Sequence, residues 1–200
     1  MIRSFLSSGE IWGLNIEFNH GDFIQVKAPS GAGKSTLMGI LYGIRKDFKG
    51  DLCFDGSIVT SQINWSKLRT NKISIVFQEL ELLKDLTVFD NIQLKNQLTR
   101  FKTDEEIIIM LKSLNILHLK DKRVGLLSRG EKQRVAIIRA LTMPFKWLLL
   151  DEPFSALDNL NTTHAIELIK GELLKQKASL ILTNLFEDDY FHYTSKFKMA

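Results

Sequence analysis

The sequence predicts an α/β fold: a mostly parallel central sheet flanked by helices, an N-terminal antiparallel β part and a small helical subdomain. Three observations carry this. Phe23, Ile24 and Val26 form a short apolar run that stops at Pro29, and after a stretch of small residues Leu37–Tyr42 continues as a helix. Three further apolar runs, Ile73–Phe77, Trp147–Leu150 and Ser179–Thr183, alternate with helical stretches, as the buried strands of a parallel sheet do. Between about Glu79 and Gly125 the texture is helical throughout. The 200 residues suit one domain, with a helical subdomain over about 79–143 set into its core.

Taken in order, residues 1–21 hold two strand signals. These are Ile2–Leu6, and Ile11–Phe18 with Leu14, Ile16 and Phe18 alternating against polar neighbours. Ser7-Ser8-Gly9-Glu10 supplies the turn between them, and His20-Gly21-Asp22 turns the chain into the next strand. Asp51–Gly56 reads as a short strand and a turn, and Ile73–Phe77 as a β-branched strand bounded by Asn71 and Gln78. Thr103-Asp104-Glu105-Glu106 is a capping box ahead of a helix over Ile107–Leu117. Ser128-Arg129-Gly130-Glu131 is a second box, opening a helix that ends near Pro144. A helix over Asn161–Lys175, the strand Ser179–Thr183 and a last strand around Tyr193–Met199 complete the chain.

The bulk numbers exclude several classes. A net charge of +4 with scattered basic residues describes a solvated surface and gives no reason to expect nucleic acid. The single cysteine, Cys53, excludes an internal disulfide framework. The longest apolar stretches, such as Ile107–Leu111, run to about five residues against the ~20 that span a bilayer. Arg3 near the start is not followed by a continuous apolar region, so no secretory signal is read and a cytoplasmic location is expected.

The chemistry sits at the strand ends. Ser30, Gly31, Ala32 and Gly33 are small enough for backbone N–H groups to turn inward around an anion. Lys34 can reach the β- and γ-phosphates of a nucleotide, the Ser35 hydroxyl can ligate Mg²⁺, and the helix beyond Thr36 points its N-terminal dipole at the same place. Strand, glycine turn, Gly-Lys-Ser and helix make the P-loop of a P-loop NTPase. Its usual first glycine is Ala28 here, which is tolerable only at negative φ. Leu148–Glu152 is the second nucleotide signature: a buried strand delivers Asp151 toward Mg²⁺, and Glu152 is free to accept a proton from water. Gln78 closes its strand where an amide could touch the metal or the water. Asn71 and Lys72 begin a guanine-reading motif, but Ser74 stands where it needs aspartate, which argues against a GTPase. Ser128 and Gly130 open a capped helix, itself a good phosphate site.

These motifs, in this order and spacing, resemble the nucleotide-binding domain of the ATP-binding cassette (ABC) family over nearly the whole chain. Ala28–Thr36 looks like its P-loop, Gln78 like its Q-loop glutamine, and Leu127–Glu131 like its Leu-Ser-Gly-Gly-Gln signature. Leu148–Glu152 is similar to its Walker B strand with the catalytic carboxylate, and Ser155–Asp158 to its D-loop. The resemblance implies ATP and Mg²⁺ as ligands, and two cassettes, a homodimer in the simplest case, paired head to tail around them. Ser30–Thr36 of one chain would hold the triphosphate, and Ser128, Arg129, Gly130 and Glu131 of the other would face it. Ser35, Gln78 and Asp151 would surround the metal, and Glu152 would polarise the water. A separate transmembrane permease would meet the Q-loop and the helices over 79–125, placing the chain at the cytoplasmic face of the membrane.

Three residues depart from the family pattern. Asn184 stands where the switch histidine belongs, Arg129 replaces the first signature glycine, and Glu131 replaces the glutamine. An amide can donate a hydrogen bond but cannot become cationic, so slow hydrolysis is expected. Phe5 is the candidate for stacking on adenine. Beside the transporter ATPase stands a second reading, a regulatory cassette that closes on ATP with little turnover. A soluble ABC protein of DNA repair or translation would carry a longer insertion than the stretch between Gln78 and Leu127.

Overall fold

The computed structural model describes residues 16–54, 57–58 and 63–199. Its main sheet contains β1 (Phe23–Lys27), β4 (Ile73–Val76), β5 (Trp147–Asp151), β6 (Ser179–Asn184) and β7 (Ser195–Lys198), in the order β4-β5-β6-β1-β7. Every neighbouring pair is parallel. Strands of this kind are covered on both faces, so they read as continuous apolar runs, yet their alternation still sorts side chains between two cores. Val76, Leu148, Leu150, Leu180 and Leu182 face α3 (Val88–Asn96), α4 (Asp104–Ser113), α5 (Arg129–Leu141) and α6 (Asn159–Gln176). Ile24, Val26, Ile73, Ile75, Leu149 and Ile181 face the other way, onto α1 (Lys34–Leu41).

The expected N-terminal β part is only partly within the described residues. Ile2–Leu6 lies outside them, and of Ile11–Phe18 only residues 16–18 are described. There Ile16 makes an isolated bridge and no regular strand follows. The chain turns at once instead: Asp22 N–H donates to the Asn19 carbonyl at 3.0 Å, and Asn19 N–H to the Asp22 carboxylate at 2.7 Å. Phe18 is an aromatic plug rather than a strand residue, packed against Trp147 and Phe197. Short antiparallel pairing joins β2 (Cys53–Phe54) to β3 (Ser57–Ile58).

Two helices differ from the sequence reading for local reasons. α4 ends at Ser113, short of Leu117, because Asn115 adopts φ +55°. Ile116 N–H then closes back on the Leu111 carbonyl at 2.9 Å and Asn115 N–H on the Lys112 carbonyl at 3.0 Å, a Schellman stop. The second helix, α2 (Trp65–Asn71), has no fully buried residue, and its apolar face is one partly buried pair, Trp65 and Leu68, too short to show a period in the sequence. Asn64 caps it, accepting from Lys67 N–H at 2.9 Å. The Thr103–Glu106 and Ser128–Glu131 capping boxes both form as expected.

Candidate nucleotide-binding site

The site lies beyond the carboxyl ends of β1, β4, β5 and β6, where an open parallel sheet leaves a crevice. β1 ends at Lys27, and α1 begins at Lys34 with Gly33 at φ +95° as its cap and no side chain bonded to its first N–H groups. Gly31, at φ +83°, makes the other left-handed bend. A side chain at either position would be strained, which accounts for glycine there. Ala28 is not among the positive-φ residues, so the missing first glycine costs no backbone strain. Its buried N–H donates to the Asn184 carbonyl at 3.1 Å, tying the loop to β6.

Lys34 is 5% exposed and is held within the loop. Its Nζ donates to the Ala28 and Pro29 carbonyls at 2.8 and 2.9 Å and pairs with Glu152 Oε1 at 3.1 Å. Glu152 reaches it by turning into the left-handed region, φ +48°, directly after β5. Such a conformation costs a β-substituted residue about 1 kcal/mol or more and survives where its surroundings impose it. Here Glu152 N–H donates to the Thr183 carbonyl at 3.1 Å, and Gln133 Nε2 donates to the Glu152 carbonyl at 3.0 Å. Asp151 is buried, and its Oδ1 accepts from Thr183 Oγ1 at 2.6 Å. Ser35 Oγ donates to Gln78 Oε1 at 3.0 Å, joining the start of α1 to the residue just past β4. Beyond Gln78, Leu80 and Glu81 both take positive φ, and Arg139 of α5 donates to their carbonyls at 2.6 Å each.

The signature residues form a separate cluster at the start of α5. Ser128 Oγ accepts from Glu131 N–H at 3.3 Å, and Glu131 Oε2 from Ser128 N–H at 2.7 Å. That second bond holds the Glu131 carboxyl below the usual carboxylate range. Arg129, the first residue of the helix, is exposed. Gly130 lies so close to the Ala156 carbonyl that a β-carbon would stand 2.7 Å from its oxygen. Gln133 completes the link by accepting from Ala156 N–H at 2.9 Å while it donates to Glu152.

The structure therefore brings Lys34, Ser35, Gln78, Asp151 and Glu152 to one crevice. Asn184 stands beside it with its amide turned to Asp188, which accepts from Nδ2 at 3.0 Å. Phe5 lies outside the described residues. Thr183, Gln133 and Asp188 were not anticipated. Thr183 follows Asp151 across the β5–β6 register, a pairing that only the sheet order reveals.

A glycine-bent loop leading into α1, with a buried lysine facing a strand-end carboxylate pair, defines a P-loop nucleotide-binding protein. The chain belongs to the ABC transporter family, whose sequence model matches residues 11–155. It is 36% identical over 180 residues to the thiamine import ATP-binding protein ThiQ of Photobacterium profundum, covering 88% of this chain and 73% of that one. It is 34% identical over 188 residues to the aliphatic sulfonates import ATP-binding protein SsuB of Bacillus cereus, covering 92% and 70%. Among solved structures, the dimeric bacterial ABC transporter cassette MJ0796 superposes with a TM-score of 0.75 at 27% identity, covering 91% of this chain and 84% of that one. The dimeric post-hydrolysis state of the same cassette, bound to ADP and Pi, gives 0.76 at 27% identity over 92% and 85%. Nucleotide binding and ATP hydrolysis are the activity of this family. Among the described residues no helix is long and apolar enough to cross a membrane.

Proposed function

We propose that this chain is the ATP-hydrolysing subunit of an ABC transporter, working as one nucleotide-binding unit that pairs with a second copy around ATP and drives a separate membrane permease. The gathering of Lys34, Ser35, Gln78, Asp151 and Glu152 at one crevice carries the reading. The relatives' names attach thiamine and aliphatic sulfonates to chains of similar identity, so likeness at this level follows the motor and not the cargo. The peripheral, cytoplasmic-face location follows from the permease partner, which would meet the surface around Gln78 and the helices over 79–125.

On this reading the amides of Ser30–Thr36 cradle the triphosphate, and Lys34 leaves the Ala28 and Pro29 carbonyls to neutralise its β- and γ-oxygens. The donor set of the Ser35 hydroxyl, the Gln78 amide oxygen and the Asp151 carboxylate consists of hard oxygens and fits Mg²⁺. Among the described residues no three His, Cys, Asp or Glu side chains cluster as a metal cage. Glu152 accepts the proton of the attacking water once the lysine has turned away. Ser128 and the Gly130 N–H face the partner's γ-phosphate, with Arg129 adding a charge beside them. Asn184 contacts the γ-phosphate held by its own chain's loop and, lacking imidazole chemistry, keeps turnover low.

Titration calorimetry with Mg-ATP tests the binding half: Lys34→Ala should weaken affinity by about tenfold or more. The Glu152→Gln variant should form an ATP-dependent dimer that retains its membrane partner, and a monomer under those conditions would sink the paired mechanism. Asn184→His should raise steady-state turnover. An unchanged rate would remove Asn184 as the cause of slow hydrolysis.

A further inference from the structure

Beneath Asn184 lies a polar knot that the nucleotide site does not itself use. Asp188 is half-buried in the connection from β6 to β7, and its carboxylate accepts four hydrogen bonds. Its Oδ2 takes Gln25 Nε2 at 2.7 Å and Asn184 Nδ2 at 3.0 Å, and its Oδ1 takes the Tyr193 hydroxyl at 2.6 Å and Tyr190 N–H at 3.1 Å. Gln25 belongs to β1, the strand that feeds the phosphate loop, and is wholly buried. Its Oε1 has no partner among the described residues. A buried amide oxygen without a donor is costly, and its retention here shows which end of Gln25 the knot requires. Were the amide reversed, its oxygen would face the carboxylate.

The same logic fixes Asn184. The two ends of an asparagine amide have almost the same shape and opposite hydrogen-bonding character. Leu185 N–H can only donate, and it holds Asn184 Oδ1 at 2.9 Å. An ionised Asp188 can only accept, and it holds Nδ2. The amide is thus locked end for end. Nδ2 keeps a second hydrogen that this bond does not use, while the Asn184 carbonyl receives Ala28 N–H from the phosphate loop at 3.1 Å. A swung amide would present an oxygen, which an anionic phosphate repels.

We propose that Asp188 is a positioning residue for ATP hydrolysis, orienting the Asn184 amide so that it offers a donor and not an acceptor to the terminal phosphate. This rests on the reading of Asn184 as the γ-phosphate contact. Gln25 and Tyr193 hold Asp188 in turn, so the knot ties the donor's orientation to β1. An asparagine with no ring to orient it depends on such a clamp.

Steady-state kinetics on the dimerising full chain with Mg-ATP test it. Asp188→Asn should lower kcat roughly tenfold with KM for ATP little changed, and Asp188→Glu, which keeps the carboxylate, should recover part of the loss. In an Asn184→Ala background the same Asp188→Asn change should have no further effect, because the group it orients is gone. If Asp188→Asn is silent, or costs as much in the Asn184→Ala background, the proposal is overturned. If Asn184→Ala itself leaves kcat intact, the reading of Asn184 fails first and takes the clamp with it. Should Asp188→Asn unfold the chain, Tyr193→Phe removes one bond to Asp188 and leaves three. It should lower kcat in the Asn184 background only, and an equal loss in both backgrounds would refute the clamp.

Discussion

Lys95 shows how a single side chain sets a pH dependence. It is half-buried against Tyr42, donating to the phenol oxygen at 3.3 Å, with Arg139 and Arg69 nearby. Burial, and then the like charge of the two arginines, brings its pKa down to about 8 from the usual lysine value. Between that value and the unfolded one, the unfolded chain binds more protons, so stability should rise with pH from about 8 toward 10.5. Denaturant titrations across that window should show the rise in the parent protein and its loss in Lys95→Met. A flat profile in the parent would remove the charge burial inferred here. Of the site residues, those on the glycine loop and at the strand ends are legible one by one, because each sits at a fixed offset from a recognisable apolar run. Thr183 and Asp188 are not, since their roles depend on which strands neighbour β6. The mild strain at Glu152 is equally silent in sequence, where any strand-end glutamate looks alike.

At the scale of elements, two glycines predict opposite outcomes. Gly43 follows α1 at φ +75°, its N–H returning to the Ile40 carbonyl at 3.0 Å while Ile44 N–H returns to Gly39 at 2.9 Å. A β-carbon there would stand 2.1 Å from the Trp65 ring. Gly43→Ala should therefore lose about 2 kcal/mol or more from combined strain and overpacking. Gly171 lies inside α6 with nothing within 4 Å of a β-carbon, and Gly171→Ala should gain about 0.5–1 kcal/mol. Paired thermal melts read both signs. Gly130→Ala should push the Ala156 backbone away and lower turnover more than stability, since the contact joins the signature helix to the turn after Glu152. Helices with a capping box or a broad apolar face announce themselves, as α4 and α5 do. α2 has only the Asn64 cap and one apolar pair to mark it, and the true end of α4 is set by a left-handed asparagine that no apolar period encodes.

For the whole molecule, the fold class was legible because strands covered on both faces leave unbroken apolar runs, and only parallel sheets with helices on each side need them. The strand order was not, because period and propensity say nothing of which runs lie side by side. That order has a consequence for synthesis. β1 is flanked by β6 and β7, with Phe23 opposite Leu180 and Ile24 opposite Ser195. The phosphate loop thus grows from a strand with no neighbour until almost all of the chain has been made. Local helices over 88–141 can gather early, whereas the loop waits on contacts of the longest separation, which are the slowest to close. A nascent chain halted with β6 and β7 still inside the ribosome should fail to retain ATP, and one carried past Lys198 by a linker long enough to free them should hold it. Competence for nucleotide would then switch on late and abruptly, sparing unfinished chains from engaging fuel they cannot burn.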